Sequence, residues 1–162
     1  MSDVICTLLA PEDEPEALAL VRAVFDSHVA PGFSEQGCAT FHDYIRQFAF
    51  SRRPGEAFAL AAWMDGALAG VIDVIEGHHV GLLFVDPARQ GRGIGGALVR
   101  WAAAICLRRD PPPAALTVNS SPNAVAAYRR MGFGPLSPEQ ERDGIRHTPL
   151  SLPLAVVSTD RP

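Results

Sequence analysis

The sequence predicts a mixed α/β domain: a mostly antiparallel sheet of six to seven strands with about four helices. Three observations predict it. Apolar runs at 58–64, 68–75 and 78–85 are separated only by Asp65-Gly66 and Glu76-Gly77, the tight turns of a β-meander. The last of these runs passes through a glycine-rich loop into a helical pattern, and another apolar run follows at 115–118. That makes a strand–helix–strand crossover and hence a parallel pair. The length of 162 residues, 48% hydrophobic and 20% charged, suits a single domain with a core of its own. The domain is expected to span 1–154, with 155–162 a mobile tail.

Each element has a local reason. Val4 to Leu9 reads as a first strand. Pro11-Glu-Asp-Glu opens a helix with acids in its first turn, where the dipole favours them. Its stripe is Ala17, Leu18, Val21, Val24 and Phe25, and it ends near His28, before Pro31-Gly32. Ser34 is placed to cap a second helix running to Phe50, with Phe41, Tyr44, Ile45 and Phe48 on one side. Arg52 to Gly55 reads as a loop. After the meander, a helix carries Ile94, Ala97, Leu98, Trp101 and Ile105 at helical spacing and ends near Arg108. Pro111 to Pro113 is a rigid linker. Ala115 to Val118 is a strand parallel to the one before it, and Asn123 to Met131 a short helix stopped by Gly132. Phe133–Leu136 and Ile145–Leu152 close the chain as a hairpin around the polar loop Pro138 to Gly144.

Composition narrows the function. A net charge of −4 argues against a nucleic-acid surface or an anionic membrane as partner. All fourteen basic residues are arginine, which removes a Walker-type lysine and a Schiff-base lysine. Cys6, Cys38 and Cys106 have neither metal nor redox spacing, so reduced thiols in a cytoplasmic protein and no metal are expected. Val4 to Ala10 is too short for a signal or a membrane span.

The chemistry concentrates in 80–99. Val80 to Val85 is a buried strand stopped by Asp86-Pro87, and Gln90 to Gly96 supplies four glycines in seven residues at a helix entrance. Such an entrance exposes backbone N–H groups and the positive end of the dipole, which is a site for phosphate or pyrophosphate. Gly91, Gly93 and Gly96 also match the dinucleotide fingerprint. However, Asp86 to Gln90 separate the glycines from the strand, and Leu116 to Asn119 holds no ribose-binding acid. The preceding meander is not a parallel start, so a nicotinamide or flavin site is disfavoured.

Val85-x-Pro-x-x-Gln90-Gly-Arg-Gly-Ile-Gly95 resembles motif A of the GNAT acetyltransferase superfamily, in the manner of a small bacterial member. Val118-Asn-Ser-Ser-Pro-Asn-Ala-Val-Ala-Ala-Tyr-Arg-Arg-Met-Gly-Phe133 resembles its motif B, in the right order and at the right separation. The resemblance implies a sheet splayed between its fourth and fifth strands, with acetyl-CoA as cosubstrate lying in the splay. It implies pantetheine pairing near Phe84 and Val85, pyrophosphate on Gln90, Gly91, Arg92, Gly93, Ile94 and Gly95, and a second wall from Asn119 and Asn123, the latter at or near a helix N-cap. Tyr128 would protonate the departing thiolate, and the Val85 N–H would hold the oxyanion.

A base must take the proton of the acceptor ammonium. By resemblance that base is expected on the fourth strand, at the position His79 occupies, sharing a face with Gly81, Leu83 and Val85; Glu76 and Glu35 are rivals. Glu35, Glu139 and Glu141 could draw a cationic acceptor. The expected activity is acetyl transfer to a primary amine, on a small molecule or a peptide, by direct transfer in a ternary complex. The alternative is a non-catalytic acyl-CoA-binding module, a sensor or interaction protein. A homodimer is among the expected assemblies.

Overall fold

The computed structural model describes residues 3–46 and 57–154. The expected end of the second helix at Phe50, the Arg52–Gly55 loop and the 155–162 tail lie outside these residues. In chain order the elements are β1 (Ile5–Leu8), α1 (Glu14–Val24), α2 (Glu35–Arg46), β2 (Phe58–Met64), β3 (Ala67–Ile75), β4 (His79–Val85), α3 (Ile94–Leu107), β5 (Ala115–Ser120), α4 (Val125–Arg130), β6 (Gly134–Pro135), β7 (Gln140–Arg142) and β8 (Ile145–Pro153). The sheet runs β1-β2-β3-β4-β5-β8-β6, with β7 paired to β8 off this path. Its pairs are antiparallel except β4–β5, which is parallel as the crossover requires. Helix α3 packs on one face of the sheet over a core that includes Ile72, Ile94, Leu98, Leu116 and Leu150. Helices α1 and α2 cover the other face through Ala17, Val21 and Ile45.

The meander forms where its turns allow. Asp65-Gly66 and Glu76-Gly77 both take positive φ at both positions, near 55° and 78°, the twist that matches antiparallel strands. The same device recurs at Asp143-Gly144, between β7 and β8. The closing hairpin therefore differs from the expected one. Gln140–Arg142, read as loop, is a strand pairing with Ile145–His147. The expected strand Phe133–Leu136 shrinks to Gly134–Pro135, which pairs with Leu150–Ser151 further along the same edge of β8. Proline cannot donate to a ladder, so β6 stays short. Strand β5 runs on through Ser120, because its register with Pro149 and Thr148 continues past the expected end.

Helix α1 does not run evenly to His28. After a 3₁₀ turn at Pro11–Asp13 and the α-helix to Val24, residues Phe25–Val29 form a π turn, followed by a 3₁₀ turn at Ala30–Gly32. The Ser27 hydroxyl donates to the Ala23 carbonyl at 2.8 Å, so a side chain competes for a carbonyl of the helical ladder. Phe25 is held by stacking on Phe41 at 3.8 Å between centroids. Ser34 caps α2 as expected, its Oγ accepting from the Gly37 N–H at 3.0 Å. The same hydroxyl donates to the Gly144 carbonyl, also at 3.0 Å, which ties α2 to the β7–β8 turn.

Candidate active site

The site begins with an irregularity in β4. Asp73 lies opposite Leu82 and Val74 opposite Val80, so Gly81 is an extra residue, a bulge. A bulge bends its strand and ends regular pairing. The parallel ladder to β5 holds only His79 against Thr117 and Val80 against Val118, and it stops where the bulge starts. Beyond it β4 and β5 diverge. The Asp86 N–H bonds the Ala69 carbonyl at 2.8 Å. Pairing alternates along an antiparallel ladder. The backbone N–H and C=O of Val85, and of Leu83 before it, therefore point away from β3 and into the gap. Those of Phe84 turn toward β3.

The bulge also reverses which way side chains point. Val80, Leu83 and Val85 pack in the α3 core. Leu82 and Phe84 pack on the α1–α2 side. His79 thus lies on the face of Leu82 and Phe84, not on that of Leu83 and Val85 as strict alternation predicts. A Cβ on Gly81 would sit 2.7 Å from Asp73 Oδ1. Asp73 is only 1% exposed, a buried carboxylate in β3 that the sequence reading passes over among apolar neighbours.

A cavity of about 780 Å³ occupies the gap and is lined from both faces of the sheet. On the α3 side its walls are Val85, Gln90, Gly91, Gly93 to Gly96, Ala127, Tyr128 and Met131. Gly91 and Gly93 hold φ of 78° and 79°, which L side chains avoid. Gly93 is the N-cap of α3 and no side chain caps that helix, so its first amides are left to the cavity. Asp86 fixes the loop's entry: its carboxylate accepts from the Ala88 N–H at 3.0 Å and pairs with Arg89 at 2.6 Å. Gln90 Nε2 reaches back to the Val85 carbonyl at 3.5 Å. Arg92 is not among the lining residues; its guanidinium lies 3.7 Å from Met64 Sδ.

Asn119, Asn123 and Tyr128 all line the cavity. Asn119 is exposed near the end of β5. Asn123 does not cap the helix: it sits in a 3₁₀ turn, Pro122–Ala124, and α4 starts at Val125 without a side-chain cap. Its amide instead donates to the His28 carbonyl at 3.2 Å and accepts from the Ser121 hydroxyl at 2.7 Å, joining the α4 entrance to the π turn. Tyr128 is 7% exposed, its ring edge-on to Phe133 at 5.3 Å. Burial pushes its hydroxyl well above the ordinary phenol range.

The residues expected to handle the acceptor are placed otherwise. His79, Glu76, Glu35, Glu139 and Glu141 are absent from the lining. His79 Nδ1 lies 2.7 Å from Thr117 Oγ1, and burial lowers its pKa, against the opposing pull of Glu76. Glu139 faces Arg146 at 3.9 Å. Two histidines that sequence reasoning missed do line the cavity: His28 on the π turn and His147 on β8. The His147 Nδ1 faces the Ile145 carbonyl at 3.4 Å. A carbonyl only accepts, so Nδ1 is the donor in this contact, and in the neutral ring the lone pair is then on Nε2. Position three residues past a glycine turn, on a strand returning to β5, was the available signal for His147.

Residues 29–154 match the family model described as an acetyltransferase (GNAT) domain. This chain belongs to the GNAT acetyltransferase family. Solved structures share the fold. A GCN5-related N-acetyltransferase from Rhodopseudomonas palustris superposes with a TM-score of 0.75 at 23% identity, over 94% of this chain and 97% of that one. PaiA N-acetyltransferase from Thermoplasma acidophilum, solved in complex with coenzyme A, gives 0.70 at 18% identity over 93% and 99%. An acyl-CoA N-acyltransferase from Pseudomonas aeruginosa gives 0.63 at 20% over 94% and 99%. No curated protein matches the chain by sequence.

The residues of this GNAT domain fit an acyl-CoA. Uncapped α3 amides and two left-handed glycines suit a pyrophosphate. The outward backbone of Leu83 and Val85 suits the amides of a pantetheine arm laid alongside β4. Among the described residues no group of three or more His, Cys, Asp or Glu is placed to hold a metal ion. No helix there is long and apolar enough to cross a membrane.

Proposed function

We propose that this GNAT protein is an acetyl-CoA-dependent N-acetyltransferase that transfers the acetyl group directly to a primary amine in a ternary complex. The observation that carries the reading is the cavity itself. It joins a glycine loop and a buried tyrosine on the α3 side to a second compartment on the α1–α2 side, through the gap between β4 and β5. Coenzyme and amine can then meet from opposite faces of one sheet, and neither has to leave for the other to enter.

In this reading Gln90, Gly91, Gly93, Ile94 and Gly95 hold the pyrophosphate, and Leu83 and Val85 align the thioester. Asn119 and Asn123 wall the arm. The amine nitrogen attacks the thioester carbon, a C–N bond forms and the C–S bond breaks. The proton leaving nitrogen goes to Nε2 of His147, and the Tyr128 hydroxyl protonates the departing thiolate. His147 takes this role in place of His79 because it lines the cavity and presents a lone pair. The reaction is placed in the cytoplasm, consistent with three cysteines that form no disulfide.

Calorimetry with acetyl-CoA, CoA and NADH, followed by a free-thiol release assay over an amine panel, tests the proposal. Micromolar acetyl-CoA binding, no NADH binding and amine-dependent thiol release are expected. Binding without release would leave the coenzyme-binding module instead, and no acetyl-CoA binding at high micromolar concentration would end both readings.

A further inference from the structure

The second compartment carries information about the acceptor. Its walls come from the π turn, α2, β4 and β8, and they are chiefly rings and alkyl groups: Val29, Phe33, Phe41, Tyr44, Phe84 and Ile145. Phe25 organises the rings, stacking on Phe41 at 3.8 Å and meeting Phe33 edge-on at 5.4 Å, while Phe84 lies 6.0 Å from Phe41. Tyr44, 41% exposed, stands at the rim. Among the described residues, no aspartate or glutamate lines the cavity on either side of the sheet. Of the described residues one arginine lines it, Arg130, which belongs to α4 beside Tyr128, on the coenzyme side.

Acceptors differ in what such a wall can satisfy. A polyamine or an aminoglycoside brings several ammonium groups, each of which needs an acidic or carbonyl partner once it leaves water. An amino acid brings a carboxylate, for which the compartment offers no arginine among the described residues. An amine whose only polar group is the reacting nitrogen needs a single proton acceptor and an apolar wall for the rest. His147 and the rings supply those.

Building on the acetyltransferase reading, we infer that the acceptor is a primary amine on an apolar, aryl- or alkyl-bearing body, the body lying on Phe33, Phe41 and Phe84 and the nitrogen turned toward the gap. The compartment selects by packing and by desolvation, not by charge pairing. Glu35, Glu139 and Glu141 therefore do not select the acceptor.

The test is a thiol-release panel with acetyl-CoA: 2-phenylethylamine, tryptamine and hexylamine against spermidine, kanamycin, glycine and lysine. The aryl and alkyl amines are expected to exceed the polycations and amino acids at least a hundredfold in kcat/KM. In Phe33→Ala, KM for 2-phenylethylamine is expected to rise at least tenfold while acetyl-CoA affinity, read by calorimetry, stays within twofold. Preference for spermidine, kanamycin or either amino acid overturns the inference and leaves the acetyltransferase reading standing. An unchanged KM in a folded Phe33→Ala also overturns it. Acetyl-CoA binding with no turnover of any amine overturns both.

Discussion

Replacing Tyr128 by phenylalanine isolates one atom. The ring is 7% exposed and keeps its edge contact with Phe133 in the variant. The substitution removes the hydroxyl and leaves the ring packing in place. Removing a hydroxyl on a cavity-lining ring is expected to leave stability nearly unchanged. The catalytic cost is set by the charge that develops on sulfur. A hydrogen bond to a charged group contributes about 1.5–3 kcal/mol, which is roughly 10- to 150-fold in kcat. Full proton donation raises that to about 10²–10⁴. Burial raises the hydroxyl's pKa, so it is protonated throughout the neutral and mildly alkaline range and places no alkaline limb on the rate there. Steady-state thiol release at saturating acetyl-CoA reads kcat, calorimetry reads coenzyme affinity and a thermal melt reads stability. We expect kcat to fall while the other two hold. A kcat within twofold of the parent, or an affinity loss as large as the kcat loss, refutes the assignment.

The remaining predictions follow from single placements. His147→Gln is expected to lower kcat/KM by about 10²–10⁴, whereas His79→Gln leaves it within twofold; the reverse result in steady-state kinetics would restore the base to β4. Burial holds the His79 pKa below its ordinary 6.5, so the unfolded chain takes that proton first. Stability from His79 is therefore intact above about pH 6.5 and lost as pH falls toward the folded-state value. Urea denaturation at pH 7.5 and 5 should show a smaller acid loss in His79→Gln than in the parent, and equal losses would contradict this. Gly81→Ala puts a methyl 2.7 Å from Asp73 Oδ1 and should cost about 1–3 kcal/mol by denaturant melt. At Gly93 the space is open but φ is +79°, so Gly93→Ala should cost about 1–2 kcal/mol from backbone strain, together with a loss of acetyl-CoA affinity in calorimetry.

Local signals carried most of the architecture. The Asp-Gly and Glu-Gly turns delimit β2, β3 and β4 nearly residue for residue, since turn chemistry and strand period are both written in short windows. The glycine loop and the start of α3 were legible for the same reason. What sequence reading missed depends on partners far along the chain. Nothing in Val80 to Val85 says that Gly81 has no counterpart on β3, because a bulge is a property of two strands. The π turn is held by Phe41, sixteen residues on, through its stacking on Phe25. His147 joins the site only through the register of β8 with β5. Glu35, Glu139 and Glu141 were attractive because acidic loops suggest cation binding, but charge in a sequence carries no direction, and these side chains lie outside the cavity.

Gly81 ties the two halves of the site together. One extra residue there ends the β4–β5 ladder, which opens the gap, and reverses side-chain parity, which assigns the walls on either side of it. Leu83 and Val85 go to the coenzyme side, Phe84 to the ring-lined compartment. A regular strand could do neither: it would continue pairing with β5 and would send Phe84 to the same side as Val80. Asp73 explains why the extra residue is glycine, since its carboxylate occupies the space a Cβ needs. The coenzyme channel and the acceptor pocket are thus consequences of one backbone defect. Deletion of Gly81, which removes the extra residue, should therefore lose coenzyme affinity and acceptor selectivity together, whereas changes at Gly93 or Phe33 should separate them.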